Sequence, residues 1–124
     1  LEKADGDLET ARAGMGNPRI PAWIIGFHLQ QAVEKAWKGR LVILGRRAPA
    51  LHDLRTLLQA RMPQGSPPEE MVPLIETLQP FAVEERYPLL SIRDAARADL
   101  LAALPLVEAE VNELRRVIES CPSV

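Results

Sequence analysis

Phe27-His28-Leu29-Gln30-Gln31-Ala32-Val33-Glu34-Lys35-Ala36-Trp37-Lys38 lies in the middle of a long, almost entirely apolar stretch, and its spacing predicts the central helix of the fold. At ~100° per residue, His28, Gln31, Lys35 and Lys38 share one stripe roughly 80° wide. The other faces carry Trp23, Ile25, Leu29, Ala32, Val33, Ala36, Trp37, Leu41, Ile43 and Leu44, too widely spread for a helix lying half in water. Such a helix is packed on several sides and keeps a narrow polar seam. Buried polar groups are costly when unpaired, so the seam requires partners.

Working outward, Leu1, Ala4, Leu8 and Ala11 recur at helical spacing and predict a short amphipathic first helix over residues 1–13. Gly14-Met15-Gly16-Asn17-Pro18-Arg19-Ile20-Pro21 reads as a loop, with Pro21 suited to the first turn of the central helix. That helix is expected to stop near Gly45, with Arg40, Arg46 and Arg47 complementing its dipole. Leu54, Leu57, Leu58 and Met62 predict a short third helix, with Asp53 favourably placed at its start. Ser66-Pro67-Pro68-Glu69 has the form of a capping box for a fourth helix through Met71, Leu74, Ile75 and Leu78, which Pro73 and Pro80 should kink or shorten. Glu85-Arg86-Tyr87-Pro88 reads as a connector. Beyond it, Ile92, Ala96, Leu100, Ala103, Leu104, Val107, Val111, Leu114 and Ile118 hold one face of the longest helix, with a kink expected at Pro105. No segment alternates with the period of a strand. The expectation is an all-α, up-and-down bundle of about five helices, two long and three short, formed by residues 1–124 as a single domain.

Composition limits the functions open to such a bundle. The chain is 47% hydrophobic and 26% charged with a net charge of −2, so bulk charge does not point to a strongly basic nucleic-acid-binding domain and any anion site must be local. The one cysteine, Cys121, supports neither a disulfide framework nor a thiolate metal site, which fits a cytoplasmic setting. No run approaches the ~18 apolar residues of a membrane span, so no membrane partner is expected.

The two histidines, His28 and His52, are predicted to lie far apart along the central helix, so neither a metal site nor another cofactor is expected. No serine or cysteine nucleophile has a recognisable setting, and Gly14-Met15-Gly16 lacks the strand that precedes a phosphate-cradling loop. What remains is the seam, joined by Arg86 and Tyr87 and by His52 with Asp53. One reading is structural: Lys35 pairs with Glu34 or a carboxylate of another helix, while His28 and Gln31 satisfy connector backbone. The other is an anion or nucleotide pocket in which lysines and Arg86 hold phosphate and Tyr87 or His28 offers a ring for stacking. Trp23 and Trp37 read as core or interface residues.

Phe27-His28-x-Gln30-Gln31-Ala32-x-Glu34-Lys35-Ala36-x-Lys38, then His52-Asp53-Leu54-x-x-Leu57-Leu58, then Arg86-Tyr87-Pro88 resembles the HEPN domain family in order and approximate spacing over residues 1–119. The resemblance implies a dimeric bundle of four to five helices. It also implies a branch partnered with a minimal nucleotidyltransferase in pairs like toxin–antitoxin systems. Some members are metal-independent RNases with an Arg-x4–6-His motif across a dimer cleft, near the start of the last long helix. Here no histidine follows His52, and only Arg46 or Arg47 with His52 fits that spacing. In such a site the neutral histidine would take the 2′-OH proton and the arginine would stabilise the phosphorane-like charge.

The leading expectation is therefore a homodimeric bundle that binds nucleotide or RNA phosphate and partners a minimal nucleotidyltransferase, and that is not an enzyme by itself. Lys35, Lys38 and Arg86 would contact phosphate, while His28, Gln31, His52, Asp53 and Tyr87 would orient them or read the base. The alternatives are an RNase toxin acting through Arg47 and His52, and a non-catalytic assembly module whose seam is a buried polar network.

Overall fold

The computed structural model describes residues 1–43, 45, 54–61, 71–79, 81 and 95–120. Every regular element among them is a helix: α1 (Glu2–Met15), α2 (Ala22–Ile43), α3 (Leu54–Arg61), α4 (Met71–Leu78) and α5 (Ala95–Ser120). The all-α bundle has two long helices and three shorter ones. Among the described residues, no helix is long and apolar enough to cross a membrane.

α1 begins with acidic Glu2 and Asp5 and ends with Arg12, the order its dipole favours. Its inner face is Ala4, Asp7, Leu8, Ala11 and Gly14. Leu1, expected to open that stripe, precedes the helix and is exposed.

α2 is the axis of the molecule and touches α1, α3, α4 and α5. Its buried residues, Ile25 to Leu41, cover an arc of roughly 200° at the helical repeat, leaving the predicted seam on the remaining side. Gly45, at φ 74°, turns the chain out of the helix while its N–H donates to the Val42 carbonyl over 3.0 Å. This backbone conformation favours glycine because no Cβ clashes there. Near the start of α2, Gly26 admits the ring of Phe81: a Cβ at that position would lie 2.4 Å from the ring.

α3 buries Leu54, Leu57 and Leu58. The Leu54 N–H, orphaned at the start of that helix, donates to Oε1 of Gln79 over 2.9 Å. α4 buries Leu74, Ile75 and Leu78. Pro73 occupies its third position, where the missing N–H has no intrahelical acceptor to lose, so the proline does not interrupt it. The capping box at residues 66–69, together with Met62, Pro80 and Ile92, lies outside the described residues.

α5 runs unbroken through Pro105. The proline leaves the carbonyl of Leu101 without its usual donor, and both residues are on the exposed side, where water reaches that oxygen. Leu100, Ala103, Val107, Val111 and Leu114 form the inner face as predicted, whereas Ile118 is exposed near the helix end.

The cross-links set the direction of each long helix. Asp7 meets His28 and Lys35, and Gly14 meets Ile25, so α1 and α2 are antiparallel. Arg12 pairs with Glu108 and Asp5 with Arg115, so α1 and α5 are antiparallel too. α2 and α5 are consequently parallel, with Trp37 on Glu110 and Arg40 on Glu113. Where α5 begins, Arg97 closes this end of the bundle. Its guanidinium donates to the carbonyls of Ile20 (2.7 Å), Gly14 (2.6 Å), Asn17 (2.9 Å) and Met15 (3.4 Å), serving the C-terminus of α1 and the loop that follows.

Candidate polar seam between the first two helices

The seam of α2 faces α1, and the residue that meets it is Asp7. Asp7 sits three residues after Ala4 and four before Ala11, so helical spacing carries its carboxylate into the apolar stripe of α1. There its Oδ1 lies 2.8 Å from Nδ1 of His28, and its Oδ2 accepts from Nζ of Lys35 over 2.5 Å. His28 and Lys35 are two turns apart on one face of α2, and the single carboxylate lies between them.

A second network continues along the same face. Gln31 Nε2 donates to Oε1 of Gln30 over 2.7 Å, and Gln30 Nε2 donates to Oε1 of Glu34 over 2.9 Å. The other oxygen of Glu34 accepts from Nζ of Lys38 over 3.2 Å. Gln30 is fully buried and Glu34 nearly so. Among the described residues, no buried side-chain nitrogen or oxygen lacks a hydrogen-bond partner.

The two networks share a polarity. Their acids are sunk, with side-chain exposures of 11% for Asp7 and 4% for Glu34, and their bases face out, at 27% for His28, 34% for Lys35 and 24% for Lys38. The ring of Phe27 meets that of His28 edge-on, with centroids 5.2 Å apart. An ammonium has three donors, so a lysine held by a carboxylate at its base keeps donors for a second acceptor. The seam is therefore built to hold bases in fixed positions at the surface. It carries two carboxylates against two ammoniums and one imidazole, so its attraction for an anion is short-ranged and directional.

Glu113 of α5 is held below the usual carboxylate range by a hydrogen bond from Arg116, and next by one from Arg40. Arg12 is pushed above its ordinary value, chiefly by its bond to Glu108. Among the described residues no group of three or more His, Cys, Asp or Glu side chains comes together as a metal-ion site.

Of the residues singled out from sequence, His28, Gln31, Lys35 and Lys38 do share one face. The first two differ from the structural reading in their partners: His28 is held by Asp7 and Gln31 by Gln30, not by connector backbone. Arg46, Arg47, His52, Asp53, Arg86 and Tyr87 lie outside the described residues. Sequence reasoning missed Asp7, although a carboxylate at core spacing within Ala4, Leu8 and Ala11 was the signal available.

The HEPN domain family model matches residues 1–119. No curated protein and no solved structure matches the chain.

Proposed function

The chain belongs to the HEPN domain family, and from that premise we propose that the seam of α2 recognises the phosphate of a nucleotide or nucleic acid. The observation that supports this reading is the polarity of the seam, with His28, Lys35 and Lys38 at the surface and their carboxylates beneath. Lys35 and Lys38 contact phosphate through the donors that Asp7 and Glu34 leave over, and His28 and Gln31 orient the ligand. His52, Asp53, Arg86 and Tyr87 complete the site, Arg86 on phosphate and Tyr87 as a stacking ring. The chain acts as a homodimer in a toxin–antitoxin-like pair with a minimal nucleotidyltransferase.

The test is thermal unfolding of the whole chain against nucleotides and short RNAs, repeated with Lys35→Ala and Lys38→Ala. A ligand at 100 times its Kd stabilises by about 2.7 kcal/mol, which is readily measured. A shift in the native chain that both variants diminish supports the reading. Intact stability and no shift with any nucleotide or RNA would overturn it. Co-purification with a co-expressed minimal nucleotidyltransferase tests the partnership separately.

A second reading is supported by the completeness of the internal pairing. Each side chain of the seam has at least one partner within the bundle, the arrangement expected of an assembly module whose polar network fixes helix register. On that reading Lys35→Ala costs stability and changes no ligand response.

A further inference from the structure

A neutral imidazole has one N–H and one lone pair, whereas an ionised carboxylate only accepts. The 2.8 Å contact between Nδ1 of His28 and Oδ1 of Asp7 therefore puts the ring proton on Nδ1 and the lone pair on Nε2. The same carboxylate holds the ammonium of Lys35 on its other oxygen. One carboxylate thus holds an imidazole and an ammonium on a partly exposed face, with the ring's lone pair on the nitrogen that does not meet Asp7. Phosphate alone would need only the cation. A ligand that uses both brings a hydrogen-bond donor next to an anion, and in a ribonucleotide the 2′-hydroxyl beside the 3′-phosphate is such a donor.

We infer that Asp7 is the positioning residue of the seam, presenting His28 Nε2 as an acceptor beside Lys35 so that the site selects a ribose 2′-hydroxyl adjacent to a phosphate over its deoxy counterpart. The inference rests on the seam being the ligand site.

Nitrogen-15 NMR of the whole chain, at a pH where ordinary imidazoles are neutral, reads the tautomer directly, with the His28 signals identified by their loss in His28→Phe. The four ribonucleoside 3′-phosphates and their 2′-deoxy forms are then titrated against the native chain and Asp7→Asn. The native protein shows the Nδ1–H tautomer and binds the ribo forms roughly fivefold more tightly, the worth of one hydrogen bond. In Asp7→Asn the amide donates to Nδ1, the proton moves to Nε2 and the sugar preference disappears. Asp7→Glu restores part of it.

An Nε2–H tautomer in the native chain, or a preference unchanged in Asp7→Asn, overturns the inference. Equal binding of both sugars also overturns it but leaves phosphate recognition standing, whereas binding of neither removes both. Should Asp7→Asn fail to fold by circular dichroism, His28→Phe decides: loss of the sugar preference with phosphate affinity retained supports the inference, and a retained preference overturns it.

Discussion

The indole Nε1 of Trp37, on α2, donates to Oε1 of Glu110, on α5, over 2.7 Å, while the rest of the Trp37 side chain is sealed in the core. One residue thereby supplies both apolar volume and a polar tie between two parallel helices. Trp37→Phe keeps most of the volume and loses the donor, at an expected cost of about 1–2 kcal/mol. Trp37→Ala opens a cavity and should cost about 3–5 kcal/mol. Urea unfolding of the two variants separates the contributions; equal losses would show that the hydrogen bond carries the whole effect.

Asp7 serves two bases and Lys35 only one acid, so the two substitutions should not be equivalent. Asp7→Ala strips both His28 and Lys35 of their partner and is expected to cost about 2–4 kcal/mol. Lys35→Ala leaves Asp7 on His28 and removes a side chain one-third exposed, so about 1 kcal/mol is expected. A double-mutant cycle should show the two losses to be less than additive. Strict additivity would mean the pair contributes nothing in solution.

Arg97→Ala should destabilise the chain by about 2–3 kcal/mol, because several carbonyls lose a charged donor at once. Arg97→Lys recovers only part of this, since an ammonium lacks the planar fork that spans the four oxygens. Hydrogen exchange should accelerate first around Asn17 and Ile20, whose backbone bonds close the loop that Arg97 holds.

Gly26→Ala places a methyl group against the ring of Phe81 and should cost about 1–3 kcal/mol by overpacking. Phe81→Leu in the same chain should relieve part of the strain, and recovery of the thermal midpoint in the double variant is the check. A Gly26→Ala variant as stable as the parent would mean the ring moves aside freely.

Glu113 is held low by Arg116 and then by Arg40. A carboxylate depressed in the folded state contributes stability above its unfolded pKa, and that contribution disappears as pH falls through the folded value. Glu113→Gln should therefore lower the thermal midpoint slightly at neutral pH and make progressively less difference on acidification below the ordinary carboxylate range. A difference independent of pH would show that the ion pairs contribute nothing; added salt should also shrink it.

The helices that bury a broad apolar face were legible from periodicity. α2 could be read because Leu29, Val33, Ala36 and Trp37 leave so little of its surface for water, and α5 because Leu100, Val107, Val111 and Leu114 repeat for several turns. The seam was legible as a need for partners, since His28, Gln31, Lys35 and Lys38 line up on one stripe. A carboxylate of another helix was one expected partner of Lys35, but which carboxylate was not legible. Asp7 comes from another helix, and nothing local to α2 encodes the pairing of α1 against it. Gln30 and Glu34 fall toward the interior by spacing, and their bonds to each other and to Lys38 are i,i+4 pairs within α2, so this part of the network was available to a reading of spacing. Pro105 lies opposite Leu100, Val107 and Val111 on the helical wheel, so the spacing that marks the inner face of α5 already turns the proline outward, where a helix absorbs it at lower cost.

Arg97 joins positions 77 to 83 residues apart in the chain. During synthesis, α1, α2 and the loop between them are made before the residue that closes that loop. Until it arrives, the carbonyls of Gly14 and Asn17 keep only the backbone N–H groups of Asn17 and Ile20. A hairpin of α1 and α2 alone is thus an open-ended piece, and any chain cut short before Arg97 is left with that end unsealed.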